Sequence, residues 1–368
     1  MEGAANAPSF LKTSCDKMKQ ALAVLANDLH VSKDTVSEFQ KNWDEMLSVC
    51  SERQCWDIVI GGDLWQSRAG QTLNTLLAVK RAIMKATLKC EFSLTIAEGN
   101  HCKVNQEEVE GYSHIFSEYP NVSVVDVYKL LQWEGTGQCL GIMSYFPEQG
   151  SFADHLQEFK DYLSEKGVAA SDVTLYVHQG IAGGIGGFVA DDDLPVEMFS
   201  DFKQVLVGHY HNRSHIKNTD IYYIGSSRQH NFGEDEEKGY TLFYDDGSVE
   251  FVKNQVNVRY KNVEVAAKEL GKTDLPELSD PRYKVKLKLL CDGSDLNKVD
   301  RTSLSDMGFN RVEIVEKAKK EETVQSSIDE KYDVGSIKKE YVGFCEKENV
   351  DSKLGEKYLN NISAPCGD

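Results

Sequence analysis

The chain has 368 residues, of which 40% are hydrophobic and 27% charged, a composition typical of a globular protein with room for two domains, or for one large domain with an appendage. Its formal net charge is −18, from 41 basic and 59 acidic residues. This charge argues against tight DNA binding by the chain alone, because DNA-binding surfaces are usually basic.

The sequence carries no signal for a membrane or for a disulfide-rich protein. No apolar run approaches the roughly 20 residues that cross a bilayer, and the N-terminus, MEGAANAPSFLKTSCDKMKQ, lacks an apolar stretch of signal-peptide length. The 9 cysteines are scattered and form no Cys-x-x-Cys pair, which disfavours a zinc finger or a disulfide framework. We therefore expect a cytoplasmic protein with reduced thiols and no membrane partner.

In the first half of the chain, short apolar runs alternate with amphipathic segments. The apolar runs predict buried strands at 21–27, 55–60, 91–97, 122–127 and 139–145. Apolar residues at helical spacing predict helices at 33–53, at 70–88 and near 106–118. Strands that alternate with helices in this way indicate an α/β core.

The second half repeats this alternation and then changes to strands alone. A helix is expected at 153–166, with strands at 173–177 and 204–207. The segment 213–252 predicts a β-meander, with a hairpin turn at Asp245-Asp246-Gly247. Together the two halves predict an α/β fold in which mixed β-sheets are flanked by helices.

Composition divides the chain into five segments. Two prolines and the loss of apolar periodicity around 265–282 mark the end of the main domain, and a polar stretch follows the strands predicted at 283–290 and 310–315. The predicted segments are an N-terminal extension (1–20), a main domain (21–262), a small α+β domain (263–318), a linker (319–335) and a pair of amphipathic helices (336–368).

Metal-type ligands follow five of the predicted strands. They are Asp28 and His30, then Asp63, then Asn100 with His101 beside it, then His178, and finally His209 and His211. The functional crevice of an open α/β sheet lies at the carboxyl ends of its strands. Carboxylate, imidazole and amide ligands suit divalent cations such as Mn²⁺, Fe²⁺, Zn²⁺ or Co²⁺. Such a set fits two cations that share an aspartate and activate water for attack on a phosphoester.

The pattern D-x-H, G-D, G-N-H, H, G-H-x-H resembles that of the calcineurin-like metallophosphoesterases. The resemblance implies a four-layer core of two mixed sheets flanked by helices, and two divalent cations, preferably Mn²⁺, with Mg²⁺ among the alternatives. It assigns Asp28, His30 and His211 to one cation and Asn100, His178 and His209 to the other. Asp63 would bridge the two cations, and His101 would contact the scissile phosphate and act as the acid.

Within that class the chain resembles the SbcD-type nuclease subunits of bacteria and phages. The resemblance rests on VLANDLHVSKDT, DIVIGGDLWQSR, TIAEGNH, VLVGHYHNRSHI and YIGSSRQHNFGEDEEKGY, and it covers about 20–260. It implies DNA exonuclease or endonuclease activity in DNA repair or recombination, in the cytoplasm of a bacterium or of a phage-infected host. It also implies a small capping domain, a homodimer, and C-terminal helices that bind an SbcC-type ATPase subunit.

Three positions depart from the family pattern: Ser32, Gln66 and Cys102. Gln66 replaces a titratable residue, and Cys102 replaces an aspartate that could orient His101. The alternatives are therefore a phosphoesterase acting on small molecules or proteins, and a scaffold whose catalysis has weakened. Arg228 and His230 are candidate substrate contacts, although their loop could simply be polar, and Glu234–Lys238 is expected to be a solvated turn.

Overall fold

The computed structural model describes residues 19–185, 190, 193–292, 299–316, 341–345, 351–353 and 355. The chain divides into two compact units, Met1–Val315 and Glu316–Asp368. In the second unit, residues 341–345 are helical. The predicted linker, most of the predicted C-terminal helix pair and most of the N-terminal extension lie outside the described residues.

The first unit contains fifteen described strands and four α-helices. The strands are β1 (Ala21–Ala26), β2 (Asp57–Gly61), β3 (Ser93–Ala97), β4 (Val122–Val125), β5 (Tyr128–Gln132), β6 (Cys139–Met143), β7 (Val173–His178), β8 (Gln204–Gly208), β9 (Ser214–His215), β10 (Ile221–Tyr223), β11 (Gly239–Tyr244), β12 (Val249–Lys253), β13 (Arg259–Ala266), β14 (Tyr283–Cys291) and β15 (Arg311–Glu316). The helices are α1 (Val36–Glu52), α2 (Leu73–Met84), α3 (Phe152–Glu165) and α4 (Arg301–Asp306). None of the described helices is long and apolar enough to cross a bilayer.

Two six-stranded sheets form the body of this unit. Their strand orders are β12-β11-β1-β2-β3-β4 and β5-β6-β7-β8-β10-β9. Both sheets are mixed: β1 to β4 are parallel, whereas β11 is antiparallel to β1. In the second sheet β6, β7, β8 and β10 are parallel, and β5 is antiparallel to β6.

The two sheets pack face to face between two layers of helices. A central core joins Leu25 and Val59 of the first sheet to Ile142 and Leu206 of the second. A second core lies between the first sheet and the helices α1 and α2, and a third lies between the second sheet and α3. The predicted α/β architecture, with two mixed sheets flanked by helices, is confirmed.

The helix predicted near 106–118 is wrong. Only Tyr112–Phe116 is helical there, as a 3₁₀ turn. The amide of Tyr112 donates to the carbonyl oxygen of Cys102 at 2.9 Å, and the amide of Ser113 donates to Oε1 of Glu98 at 2.8 Å. Because these amides bind the loop after β3, they are not available for an α-helix.

The meander predicted over 213–252 is also wrong, although its turn is confirmed. The strands β9 and β10 belong to the second sheet, where β10 pairs in parallel with β8, whereas β11 and β12 form a hairpin in the first sheet. The amide of Gly247 donates to the carbonyl oxygen of Tyr244 at 2.9 Å. Gly247 has a φ of +80°, which this hairpin turn requires and which glycine adopts at little cost.

A third sheet, in the order β13-β14-β15, lies with α4 at the end of the first unit. Alternate residues of β14, among them Val285, Leu287 and Leu289, fill its core. The predicted boundary between residues 262 and 263 falls within β13, which pairs with β14 along its whole length.

Candidate metal centre

The seven predicted ligands converge at the carboxyl ends of β1, β2, β3, β7 and β8. Five of them line one cleft together with His101, which we call the metal cleft; its lining is His30, Asp63, Gln66, Asn100, His101, His209, His211, His230 and Asn231. The other two ligands, Asp28 and His178, are fully buried. Asp63 lies centrally, with its Oδ2 atom 3.5 Å from Nε2 of His30 and 3.4 Å from Nε2 of His178. This position between the two predicted ligand sets is the one that a bridging carboxylate requires.

The first ligand set surrounds a buried carboxylate oxygen. Oδ1 of Asp28 lies 3.6 Å from Nε2 of His30 and 3.7 Å from Nε2 of His211. It is buried and has no hydrogen-bond partner among the described residues. Because an unpaired buried carboxylate oxygen is costly, this environment fits a cation bound to that oxygen.

The second ligand set surrounds the side-chain amide of Asn100. Its Oδ1 atom lies 3.3 Å from Nε2 of His178 and 3.3 Å from Nδ1 of His209. An amide oxygen and two imidazole nitrogens form a donor set suited to a divalent transition-metal ion.

Two of the imidazoles are oriented by hydrogen bonds on their outer nitrogen. Nδ1 of His178 donates to the carbonyl oxygen of Gly61 at 3.1 Å, and Nδ1 of His211 donates to Oε1 of Glu234 at 2.8 Å. With Nδ1 protonated, the Nε2 lone pair faces the metal cleft. This arrangement is usual for histidines that bind metals.

The charges in the cleft are strongly coupled. Burial alone would raise the pKa of Asp63, but the imidazoles of His178 and His30 outweigh it and lower this pKa to about 2. Burial lowers the pKa of His178, yet Asp63 and Asp28 raise it to about 9. Without a cation, His178 therefore holds a proton that a divalent cation would replace.

The chain turns sharply where it enters the cleft. Four ligands have a positive φ, namely Asp28 (52°), His30 (47°), Asp63 (49°) and His209 (85°). Such angles are uncommon outside glycine and concentrate at functional sites. Gly62 has a φ of +113°, and a Cβ atom on it would lie 2.3 Å from Nδ1 of His178. The glycine before Asp63 therefore lets two ligands approach each other.

His101 is oriented by the main chain. Its Nδ1 atom donates to the carbonyl oxygen of Gln66 at 2.7 Å, and its amide donates to Oδ1 of Asp63 at 2.8 Å. Nε2 thus remains for proton transfer in the cleft. The neighbouring Cys102 is fully buried, and burial raises the pKa of its thiol well above the ordinary value. Burial therefore disfavours a thiolate at Cys102.

The two candidate substrate contacts differ in position. Arg228 is 3% exposed, and its guanidinium donates to the carbonyl oxygens of Leu29 and His30 and to Glu38. The Arg228 side chain thus holds the loop after β1, and it is not among the residues that line the metal cleft. His230 does line the metal cleft, and its ring lies 4.4 Å from that of His211.

Glu234 was missed by sequence reasoning, which placed it in a solvated turn. Its side chain is only 8% exposed. Besides accepting from His211, it accepts from the amide of His230 at 3.0 Å and from Nδ2 of Asn231 at 2.9 Å. The acidic run at 234–237 gives no sign that one of its carboxylates is buried, so no local signal could have identified it.

We expect Glu234→Gln to weaken metal binding about tenfold to a hundredfold, because the carboxylate that orients His211 is lost. Isothermal titration with Mn²⁺ measures the effect. Glu237→Gln, a change to an exposed carboxylate of the same turn that pairs with Lys253, is the matched control and should bind the metal as the parent does. Equal affinity in both variants would contradict a role for Glu234 in orienting His211.

No protein-family model matches the chain. Over 289 residues the chain is 24% identical to a candidate phosphoesterase, 078R, of Invertebrate iridescent virus 3, which covers 75% of this chain and 78% of the viral protein. Two solved structures show weak likeness. A candidate 5′-nucleotidase from Staphylococcus aureus has a TM-score of 0.38 at 13% identity, covering 63% of this chain and 54% of its own. Pseudomonas putida nuclease MPE has a TM-score of 0.27 at 12% identity, and the match covers 61% of this chain and 84% of the nuclease chain.

Proposed function

We propose that this chain is a hydrolase of phosphoester bonds that uses two divalent cations, preferably Mn²⁺. The observation that carries this proposal is the position of Asp63, whose Oδ2 atom lies 3.5 Å from His30 and 3.4 Å from His178. The unpaired buried oxygen of Asp28 is a second reason to place a cation there. The viral relative, whose name describes a candidate phosphoesterase, supports the same chemistry.

The residues of the candidate metal centre have separate roles. One cation would be held by Asp28, His30 and His211, and the other by Asn100, His178 and His209. Asp63 would bind both cations. Bound divalent cations supply Lewis-acid chemistry and lower the pKa of water. His101, fixed by Gln66 at its Nδ1 atom, would protonate the leaving oxygen through Nε2 when its ring is an imidazolium, and it would become neutral in that step.

We propose DNA as the substrate, because a groove beside the metal cleft is suited to bind a polyanion. This basic groove is lined by Asn231, Phe232, Gly233, Asn262, Val263, Glu264, Lys286, Lys288 and Arg311. It contains three cationic side chains and one carboxylate, in a chain whose net charge is −18. Lys286 pairs with Glu313 and Lys288 with Glu264, so phosphates would replace these carboxylates as partners of the two lysines. Asn231 lines both the groove and the cleft, so a phosphodiester chain could run from one into the other.

Contacts between the third sheet and the cleft loop fix this groove. Gln229 accepts from the amide of Tyr260 at 2.8 Å and donates to its carbonyl oxygen at 3.0 Å. Nδ2 of Asn262 donates to the carbonyl oxygen of Phe232 at 2.6 Å. Hydrogen bonds between side chains and the main chain, made from both sides, therefore hold the groove against the metal cleft.

The purified chain with Mn²⁺ should degrade end-labelled linear DNA and hydrolyse bis(p-nitrophenyl) phosphate, and chelation should stop both reactions. Hydrolysis of the chromogenic ester alone would overturn the DNA proposal in favour of a small phosphoester, which the acidic net charge favours. If the chain with Mn²⁺ catalyses neither reaction, and addition of an SbcC-type ATPase subunit does not produce either of them, the proposal of a hydrolase is overturned. We also propose that this subunit binds the C-terminal helices and that the chain forms a homodimer.

We expect the double variant Lys286→Glu, Arg311→Glu to lower kcat/KM on DNA by about tenfold to a hundredfold, chiefly through KM, because two cations of the basic groove become anions. Turnover of bis(p-nitrophenyl) phosphate should not change, since this ester is too short to reach the groove. Arg81→Glu with Lys85→Glu, in the last turn of α2 and directly after it, is the matched charge control. An equal loss of DNA cleavage in both double variants would assign the effect to net charge and not to the groove.

A further inference from the structure

Asn27 directly precedes the ligand Asp28, and the ligand pattern of the sequence gives it no role. Its side chain is fully buried. The Nδ2 atom of Asn27 donates to Oδ2 of Asp28, and its Oδ1 atom accepts from the hydroxyl of Tyr176 at 2.9 Å. Because Tyr176 belongs to β7, this chain of hydrogen bonds connects a metal ligand of the first sheet to a tyrosine of the second.

The chemistry of its partners fixes the orientation of the Asn27 amide. An ionised carboxylate only accepts hydrogen bonds, so the amide nitrogen must face Asp28. The amide oxygen then faces the hydroxyl of Tyr176, whose proton it shares with the carbonyl oxygen of Ala26 at 3.1 Å. The reversed amide would place its oxygen against the carboxylate and leave both acceptors without that donor, at the cost of an unpaired buried polar group.

Two glycines make room for these side chains between the sheets. A Cβ atom on Gly61 would lie 2.1 Å from Cζ of Tyr176, and a Cβ atom on Gly208 would lie 3.1 Å from Nδ2 of Asn27. Tyr176 is fully buried and packs in the central core between the two sheets. Because buried polar groups are stable only when they are paired, the network of Tyr176, Asn27 and Asp28 specifies one arrangement.

This network leaves the two carboxylate oxygens of Asp28 in different environments. Oδ2 accepts from Asn27 and from the amide of His209, the latter at 3.2 Å. Oδ1 has no hydrogen-bond partner among the described residues, and it faces His30 and His211. One oxygen is therefore held by the protein, and the other remains for a cation.

We propose that Asn27 and Tyr176 are positioning residues, which hold the Asp28 carboxylate so that Oδ1 alone faces the cation of the first ligand set. The inference rests on the proposed hydrolase function, because it requires a cation at Asp28. Outer hydrogen bonds of this kind orient ligands and strengthen metal binding. Only the first ligand set contains Asp28, so loss of the network should weaken the binding of one cation and spare the other.

The test is isothermal titration of the full chain with Mn²⁺, which separates the two sites by their affinities. Tyr176→Phe should weaken one site by about tenfold, and Asn27→Leu, which removes the donor to the carboxylate, should weaken the same site by about a hundredfold. The other site should keep its parental affinity in both variants. Tyr240→Phe is the matched control, because it removes another buried hydroxyl, one that donates to the carbonyl oxygen of Asn42 at 2.7 Å.

Thermal unfolding without metal separates positioning from a general loss of stability. Tyr176→Phe and Tyr240→Phe each lose one buried hydroxyl, so both should lower the metal-free unfolding midpoint by similar amounts, whereas only Tyr176→Phe should lose affinity for Mn²⁺. Unchanged affinity in Tyr176→Phe, or an equal loss at both sites, would overturn the positioning role and leave the hydrolase proposal standing. A parent that binds fewer than two Mn²⁺ ions would overturn both.

Discussion

Asp63→Ala is expected to lower metal-dependent phosphoester hydrolysis by at least about a thousandfold, which corresponds to about 4 kcal/mol of transition-state stabilisation. The carboxylate lies within 3.5 Å of an imidazole nitrogen from each ligand set. Its removal leaves neither cation fully held, and it removes the negative charge that separates the two cations. Initial rates with bis(p-nitrophenyl) phosphate at saturating Mn²⁺ measure the loss.

A matched aspartate serves as the control. Asp34 is exposed in the loop after β1, so Asp34→Ala should retain the parental rate. Mn²⁺ should raise the thermal unfolding midpoint of the parent and of this control, because binding to the folded state stabilises it, but the shift should be much smaller for Asp63→Ala. A full Mn²⁺ shift and full turnover in Asp63→Ala would show that Asp63 does not bridge the cations.

The convergence of the ligands could be predicted because each one directly follows an apolar run. Asp63 follows β2 and His178 ends β7, and the ends of parallel strands share one sheet edge. Continuous apolar runs thus located most strands, and apolar residues at helical spacing located the three long helices. The joining of the two sheets at a common cleft then follows from the parallel order of their central strands.

Long-range contacts explain what could not be predicted. The strands β9 and β10 read as the start of a meander, yet β10 pairs with β8, a choice that no local pattern encodes. Arg228 and Glu234 looked alike as polar loop residues, but one braces the β1 loop and the other orients His211. Burial of a charged side chain depends on partners that are distant in the chain.

The structure also changes the meaning of the departures from the family pattern. Gln66 removes a titratable side chain, which favoured a weakened scaffold. However, the atom of Gln66 that contacts His101 is its main-chain oxygen, and any residue at this position offers one. The hydrogen bond that orients His101 is therefore independent of the side chain at position 66. The presence of glutamine at this position consequently does not argue for a catalytically weakened scaffold.

His101→Gln is expected to lower turnover of DNA by about a hundredfold to ten-thousandfold, the range for loss of a general acid, while Mn²⁺ still binds. The side chain of His101 donates to Gln66 and belongs to neither ligand set, so the metal site should remain intact. His215→Gln, a change to an exposed histidine of β9, is the control. Gel assays of labelled DNA and titration with Mn²⁺ provide the two readouts.

The leaving group separates acid catalysis from mere contact with the phosphate. A nitrophenolate is a weak base that departs with little protonation, whereas a DNA alkoxide needs a proton. His101→Gln should therefore slow DNA cleavage far more than hydrolysis of bis(p-nitrophenyl) phosphate. Equal losses on both substrates would mean that His101 acts on the phosphate itself, since a contact with its oxygens stabilises both transition states alike.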